Sequence, residues 1–468
     1  MKNMTIQAVA DACGGILTEA SFPDAVSSVS EITAITTDSR KITSGCLFVA
    51  IPGNRVDGHD FIEQVVRDGA VAVLGEREPS ACKLTADGRA AAYIRVPSSL
   101  QAVKDIARFY LQQLKIPVVG VTGSVGKTST KEMVASVLAE KYRVLKTAGN
   151  FNNELGVPLT VFRLRDEDEI AVLEMGISDF GEMHRLADIA RPDTCVITNI
   201  GTCHLEQLGN RDGVLRAKTE IFDFLQPDGH IVLNGEDDKL CTVNRKEDTV
   251  RFAMDSEAGS IWADEVELLG ISGSRCRIHT PQGDFKTSIQ IPGIHAVYNA
   301  MAATAVGLIY GLSLAEISRG IAACETIAGR FRIITAKRCT IIDDCYNANP
   351  MSMKASLNVL KHANGRRVAL LGDMGELGSN EATLHAQVGE AAAPMGIDAY
   401  YCAGPLMANL ITGLKNAGAS PEVRHFDTTE ALCEALPGLI QPGDTVLVKA
   451  SHFMGFEKLV KTLESQDC

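Results

Sequence analysis

Short apolar runs alternate along most of this chain with longer segments whose apolar positions recur every three or four residues. The first pattern is that of strands buried on both faces, the second that of amphipathic helices. CLFVAI (46–51), AVAVLG (70–75) and AAYIRV (91–96) read as strands, the first two separated by the helical DFIEQVVRDGA. SSLQAVKDIARFYLQQLK opens on a serine cap and leads into the strand IPVVGVTG (116–123). IAVLEMG (170–176), CVITNIG (195–201) and HIVLNG (230–235) continue the rhythm. Residues 250–291 instead alternate apolar and polar positions, as in SIWADEVELLG, RCRIHT and FKTSIQI, and predict a run of antiparallel strands. TIIDD, RVALLGD, AYYCAG, EVRHF and DTVLVKA are the strands expected in the last part, beyond Gly329 and Arg330.

The fold expected is α/β, in three units, and 468 residues suit three domains of about 150 each. The first is a small α/β domain over 1–96. Residues 97–328 form a central P-loop ATPase-like domain with a mostly parallel sheet and an antiparallel annex. A Rossmann-like C-terminal domain covers 329–468. Residues 287–315 carry no Asp, Glu, Lys or Arg, but Pro292, Asn299 and many Ala and Gly mark a buried helix, not a membrane span.

Composition changes this picture little. With 45 Lys plus Arg against 58 Asp plus Glu, the net charge is −13, which argues against non-specific nucleic-acid binding. Thirteen scattered cysteines without a Cys-x-x-Cys pair read as reduced thiols in a cytoplasmic enzyme. Asp11 interrupts any signal-peptide apolar run, and nothing demands more than a monomer.

The sharpest chemistry lies in VVGVTGSVGKTSTKEM (118–133). A buried strand runs into Gly123, Ser124, Val125, Gly126, Lys127 and Thr128, and a helix follows, so backbone N–H groups point at phosphate oxygens. Lys127 supplies charge for the β- and γ-phosphates and the Thr128 hydroxyl a ligand for Mg²⁺. Val121 stands where the strict pattern has its first glycine. Glu174 ends a strand beside this loop, where a metal-binding carboxylate is needed. His204 and Lys218, taken alone, are a loop histidine and a helix lysine.

TGSVGKTSTKEM, AGNFNNELGVPLT (148–160), LEMG, NIGTCHLEQLG and AKTEIF together resemble the ATP domain of the Mur ligases, the ATP-dependent amide-forming enzymes of peptidoglycan synthesis. TTDSRKITSGCLFVAIPGNRVDGHDF (36–61) resembles an N-terminal domain found in two members of that family. DDCYNANPMSM (343–353) and LLGDMGELG (370–378) are similar to the member that joins D-alanyl-D-alanine to UDP-MurNAc-tripeptide.

The resemblance implies roles for individual residues. Gly123, Ser124, Val125, Gly126, Lys127, Thr128 and Ser129 would cradle ATP, with Asn299 beside the adenine. Arg330 and Asp344 would contact the γ-phosphate and the ribose. Thr128 and Glu174 would hold one Mg²⁺, and His204 a second. Lys218 matches a lysine carried as a carbamate, an anion able to ligate metal where an ammonium would repel it. Lys127, His204, Lys218 and Arg330 are the catalytic set so implied. Ser39 and Arg40 match a pair associated with the UDP-sugar precursor, and Asn347 and Asn349 would face the dipeptide. Two stretches depart from the family pattern: Ala296 replaces an Asn, and Ala450 and His452 stand in VKASHFMGFE where Gly and Arg are typical.

Two neighbouring readings share the ATP domain. The sibling ligase that adds the third, diamino residue would show an Asp-Asn-Pro-Arg stretch, which this chain lacks. Folylpolyglutamate synthase would not explain residues 36–61. A nucleotide-dependent switch or transport ATPase, from a different class, would hydrolyse ATP without any acceptor.

Overall fold

The computed structural model describes residues 1–17, 29–53, 56–77 and 91–465. Positions 54–55, within the 36–61 stretch singled out above, lie outside the described residues. Three sheets organise the chain. The first is four-stranded and parallel: Ile35–Thr36, Leu47–Val49, Ala72–Gly75 and Ala92–Arg95, in that spatial order.

The central sheet has nine strands. Val118–Thr122, entirely buried, pairs in parallel with Ile170–Glu174 on one side and Thr194–Ile197 on the other. Val144–Lys146 adds an outer parallel strand, and His230–Asn234 continues the far side. A chain that leaves one strand towards one side and returns on the other creates a crevice at the strand's C-terminal end, and the phosphate loop sits there.

The expected antiparallel run over 250–291 needs correction. Ser274–Thr280 does pair antiparallel with both Ile261–Leu268 and Gly283–Ile289. Asp248–Ala253, however, is parallel to His230–Asn234 and to Ile261–Leu268. Alternation reports that one face is wet, not which way the chain runs. Where the chain leaves this strand, the Glu236 carboxylate takes the Met254 and Asp255 N–H groups, at 3.0 and 3.2 Å.

The helix Ile294–Ile309 is buried and alanine-rich, and it packs on the helix Lys127–Leu138. Its small side chains allow that close approach. Ser99–Leu114, capped by Ser98, packs on both Ile6–Cys13 and Gly156–Val161, so it serves the cores of the first and second units.

The third sheet runs Arg332–Thr335, Cys339–Asp343, Asp444–Lys449, Arg367–Gly372, Ala399–Ala403 and Glu422–Phe426 in spatial order. It is parallel except for the first strand. That strand, and those at Ile35–Thr36 and Val144–Lys146, were too short or too polar to predict. Among the described residues no cysteine is disulfide-bonded, and no helix is long and apolar enough to cross a membrane.

Candidate active site

The phosphate loop owes its shape to two glycines. Gly123 has φ +147°, and a Cβ there would fall 1.9 Å from Thr198 Oγ1; Gly126 has φ +85°. Val121 lies inside the strand, paired with Glu174, so the glycine missing from the strict pattern belongs to a position upstream of the turn.

The neighbouring strand exit braces the loop. Asn199 accepts from Ser124 N through its carbonyl (3.0 Å) and from Val125 N through Oδ1 (2.9 Å). Thr198 Oγ1 and Asn199 Nδ2 donate to the Val125 carbonyl at 2.6 and 2.9 Å. Ser124 Oγ receives Gly201 N and Cys203 Sγ, at 2.8 and 3.1 Å. Sequence reasoning passed over Thr198 and Asn199; the signal was two polar residues at the end of an apolar strand. Lys127 Nζ folds back on the Gly123 carbonyl at 2.9 Å, and Thr128 is buried at the helix start.

Around this loop several buried polar atoms lack hydrogen-bond partners among the described residues. Glu174 is buried; Oε1 accepts from Asn152 Nδ2 at 2.8 Å, Lys131 Nζ lies 3.9 Å from Oε2, and Oε2 has no hydrogen bond. Lys131 is itself tied to the Thr147 carbonyl and to Glu132, at 2.7 and 2.8 Å. Asn152 and Lys131 were also missed by sequence. Lys218 is wholly buried on the helix Arg211–Thr219 with no partner for Nζ, and burial pulls its pKa down to about 8. Asn299 Oδ1 accepts from Thr130 Oγ1 at 2.9 Å, and its Nδ2 is unpartnered.

The C-terminal unit closes this crevice. Arg330 and Asp344 line one cavity with Ser124–Ser129, His295, Phe331, Asn347 and Lys449. The Arg330 guanidinium lies 4.1 Å from the centre of the Tyr346 ring, a cation–π contact. Asp344 is buried, and its Oδ2 accepts from Ser356 Oγ (2.6 Å) and Lys449 Nζ (2.5 Å). Lys449 lies in VKASHF, where sequence reasoning weighed the departures and overlooked it. His295 packs on Phe331, ring centres 4.4 Å apart, and burial lowers its pKa to about 4, so the ring is neutral. Ala296 is buried, with no polar atom to replace the family's Asn.

A second chamber joins the first through Ser124, Lys127 and residues 347–349, and opens past His204, Glu376 and His452. His204 Nδ1 stands 2.7 Å from Glu376 Oε2, a close polar contact without hydrogen-bond alignment. The imidazole beside it holds the Glu376 carboxyl below its ordinary range. His452 lies face to face with Tyr346, ring centres 5.3 Å apart. Asn349 spends its Oδ1 capping the helix Pro350–Lys361 through Ser352 N, and Asn347 Oδ1 accepts from Ala348 N. Ser39 and Arg40 are not brought into either chamber: they form a short helical turn of the first unit, where Arg40 is exposed and held by Asp38 at 2.8 and 3.0 Å.

This convergence of a phosphate loop with a second α/β unit can be set against known proteins. Residues 31–111 match the model of the Mur ligase family catalytic domain, 121–307 the Mur ligase middle domain, and 329–452 the Mur ligase glutamate ligase domain. The chain belongs to the Mur ligase family. Among Mur ligases it is 36% identical to UDP-N-acetylmuramoyl-tripeptide–D-alanyl-D-alanine ligase of Bacillus subtilis, over 99% of both chains. It is also similar to the crystal structure of MurF from Acinetobacter baumannii, with TM-score 0.89 and 33% identity over 99% of both chains. The MurF ligase of Thermotoga maritima in complex with ADP gives TM-score 0.80 and 30% identity, over 92% of this chain and 97% of that one. The three-unit α/β architecture expected from sequence is the Mur ligase architecture.

Proposed function

We propose that this Mur ligase is the cytoplasmic enzyme that joins UDP-MurNAc-tripeptide to D-alanyl-D-alanine, converting ATP to ADP and phosphate. The single observation that carries the reading is the meeting of Lys127 on the phosphate loop with Arg330, from the other unit, in one cavity beside a second chamber. Full-length similarity to D-alanyl-D-alanine ligases supports the choice of amine.

The residues present fit a nucleotide and its metals. Gly123 and Gly126, both at positive φ, give the loop the turn that aims its N–H groups, and Asn299 Nδ2 is a buried donor in want of an acceptor. No cluster of three or more His, Cys, Asp or Glu able to hold a metal occurs among the described residues. Mg²⁺ would therefore take Thr128, Glu174 and His204 together with nucleotide oxygens, and Lys218 once carbamylated. The unpartnered Glu174 Oε2 and Lys218 Nζ are consistent with that. Bound Mg²⁺ supplies positive charge against the phosphate and carboxylate oxygens. A pKa near 8 leaves a usable fraction of Lys218 as the neutral amine, the form that adds CO₂.

Amide formation from a carboxylate is slow because a carboxylate is a poor electrophile. The tripeptide carboxylate attacks the γ-phosphorus of ATP, the bond to ADP breaks, and an acyl phosphate results. The dipeptide ammonium gives one proton to solvent, the resulting amine attacks the acyl carbon and loses a second proton, and phosphate leaves. Two anions approach in the first step, so Lys127, Arg330 and the loop N–H groups act by positioning and by neutralising charge. Tyr346 holds the guanidinium over its ring, and closure by the C-terminal unit keeps water from the acyl phosphate. Ser39 and Arg40 serve the distant end of the nucleotide-sugar substrate, and Asn299 and Asp344 the nucleoside of ATP.

ADP release is the test. With Mg²⁺-ATP and UDP-MurNAc-tripeptide, turnover is expected only when D-alanyl-D-alanine is added, with a pentapeptide product by mass. Turnover with UDP-MurNAc-dipeptide and a diamino acid would reassign the member, and release indifferent to every acceptor would refute the ligase reading.

A further inference from the structure

The acceptor chamber poses a charge problem. Its cationic and imidazole groups are Lys127, His204 and His452, yet the dipeptide enters as an ammonium ion. Among the described residues lining it, Glu376 is the single carboxylate. It comes from the C-terminal unit, in the turn after the strand Arg367–Gly372, and crosses to within 2.7 Å of His204. More than half of its side chain is exposed (59%), so an incoming cation reaches it.

Backbone geometry singles out the same residue. Seven non-glycine residues among those described have positive φ, and three of them, His204 (+51°), Phe331 (+54°) and Glu376 (+60°), line the two chambers. This conformation is disfavoured for residues with a Cβ, and it persists where the surroundings enforce it. Around Glu376 they do: Leu377 is buried, and a Cβ on Gly375 would fall 2.9 Å from the Phe453 ring. The turn therefore aims a carboxylate at the place where His204 marks the acyl group.

Resting on the amide-ligase reading above, we propose that Glu376 anchors the α-ammonium group of the incoming dipeptide beside the acyl carbon. It is a specificity residue for a free amine terminus, and it acts in the second half-reaction only. An ammonium seated there exchanges the contact with His204 for a charge-assisted hydrogen bond, and Glu376 leaves the first half-reaction untouched.

Glu376→Gln and Glu376→Asp in the full chain test this. Glu376→Gln is expected to raise KM for D-alanyl-D-alanine about 10- to 100-fold, the range of a hydrogen bond to a charged group. KM for ATP and for the tripeptide should stay within about twofold, and Glu376→Asp should recover part of the loss. Acyl phosphate formed without dipeptide, trapped by hydroxylamine as the hydroxamate, should be unchanged. D-lactoyl-D-alanine, with a hydroxyl in place of the ammonium, should inhibit the wild type and Glu376→Gln equally. An unaltered KM for the dipeptide, an equal loss of affinity for the hydroxyl analogue, or a matching fall in hydroxamate would each overturn the proposal. Wild-type turnover indifferent to D-alanyl-D-alanine would remove the underlying reading, a failure visible before any variant is made.

Discussion

The two halves of the active site are built in opposite ways. The central half is contiguous: strand, loop and helix over 118–138 carry the loop N–H groups, Lys127 and Thr128, and the strand end at Thr198–Asn199 braces them. The C-terminal half is assembled from the segments around 330, 344–349, 376 and 449–453, held together by a buried ion pair between Lys449 and Asp344. The first is one continuous segment, its loop tied to a single neighbouring strand exit. The second depends on long-range contacts, which suits a part that closes on substrate.

The strongest way to test this contrast is to remove charge from each half. Lys127→Ala should cut kcat by roughly 10³-fold or more, the scale for losing a charge that stabilises a transition state, while the melting temperature stays near wild type. Lys449→Met should instead act on the fold. It leaves Asp344 buried and unpaired, at a cost of about 3–5 kcal/mol read by denaturant unfolding. Near-equal stability of the two variants would break the comparison.

Lys218 sharpens it through pH. Burial lowers its pKa to about 8 from an ordinary 10.5, so below pH 8 the amine is mostly protonated and unreactive towards CO₂. Activity in CO₂-depleted buffer should fall and bicarbonate should restore it, more fully at pH 8.5 than at pH 6.5, with a carbamate signal from ¹³C-bicarbonate. The stability sign is the same. The folded state binds fewer protons than the unfolded one between about pH 8 and 10.5, so the burial penalty is relieved as pH rises through that window.

Smaller effects probe the C-terminal half alone. Tyr346→Leu removes the ring beneath Arg330 and should cost about 3- to 30-fold in kcat/KM for ATP, the worth of a cation–π contact, with Tyr346→Phe near wild type. Asn349→Ala removes a helix cap and should cost about 1 kcal/mol of stability with little change in KM for the dipeptide. A large rise in that KM would put the Asn349 side chain on substrate.

How legible each half was follows from this construction. Gly123, Gly126 and Lys127 were readable because a turn between a buried strand and a helix needs those residue types in a fixed order. Thr198, Asn199 and Asn152 were not, since their partners lie on other strands and nothing local distinguishes them from loop polar residues. Lys449 was hidden in an apolar strand, where a lysine signals a buried partner without saying which. Asn349 was read as facing substrate and does line both chambers, but its capping signature with Pro350 and Ser352, also local, was passed over. Direction within the sheet was likewise invisible. Asp248–Ala253 grades from exposed to buried along its length and runs parallel to its neighbours.

The sequence by itself determined the α/β class, the order of the three units, the phosphate loop and the family, because periodicity, turn chemistry and contiguous motifs are local. Tertiary structure decided which strand end braces the loop, that Lys218 is buried with no hydrogen bond to Nζ among the described residues, and that Glu376 meets His204. Those depend on how separate segments pack, and burial, pKa and cross-unit contacts exist only once the chain has closed on itself.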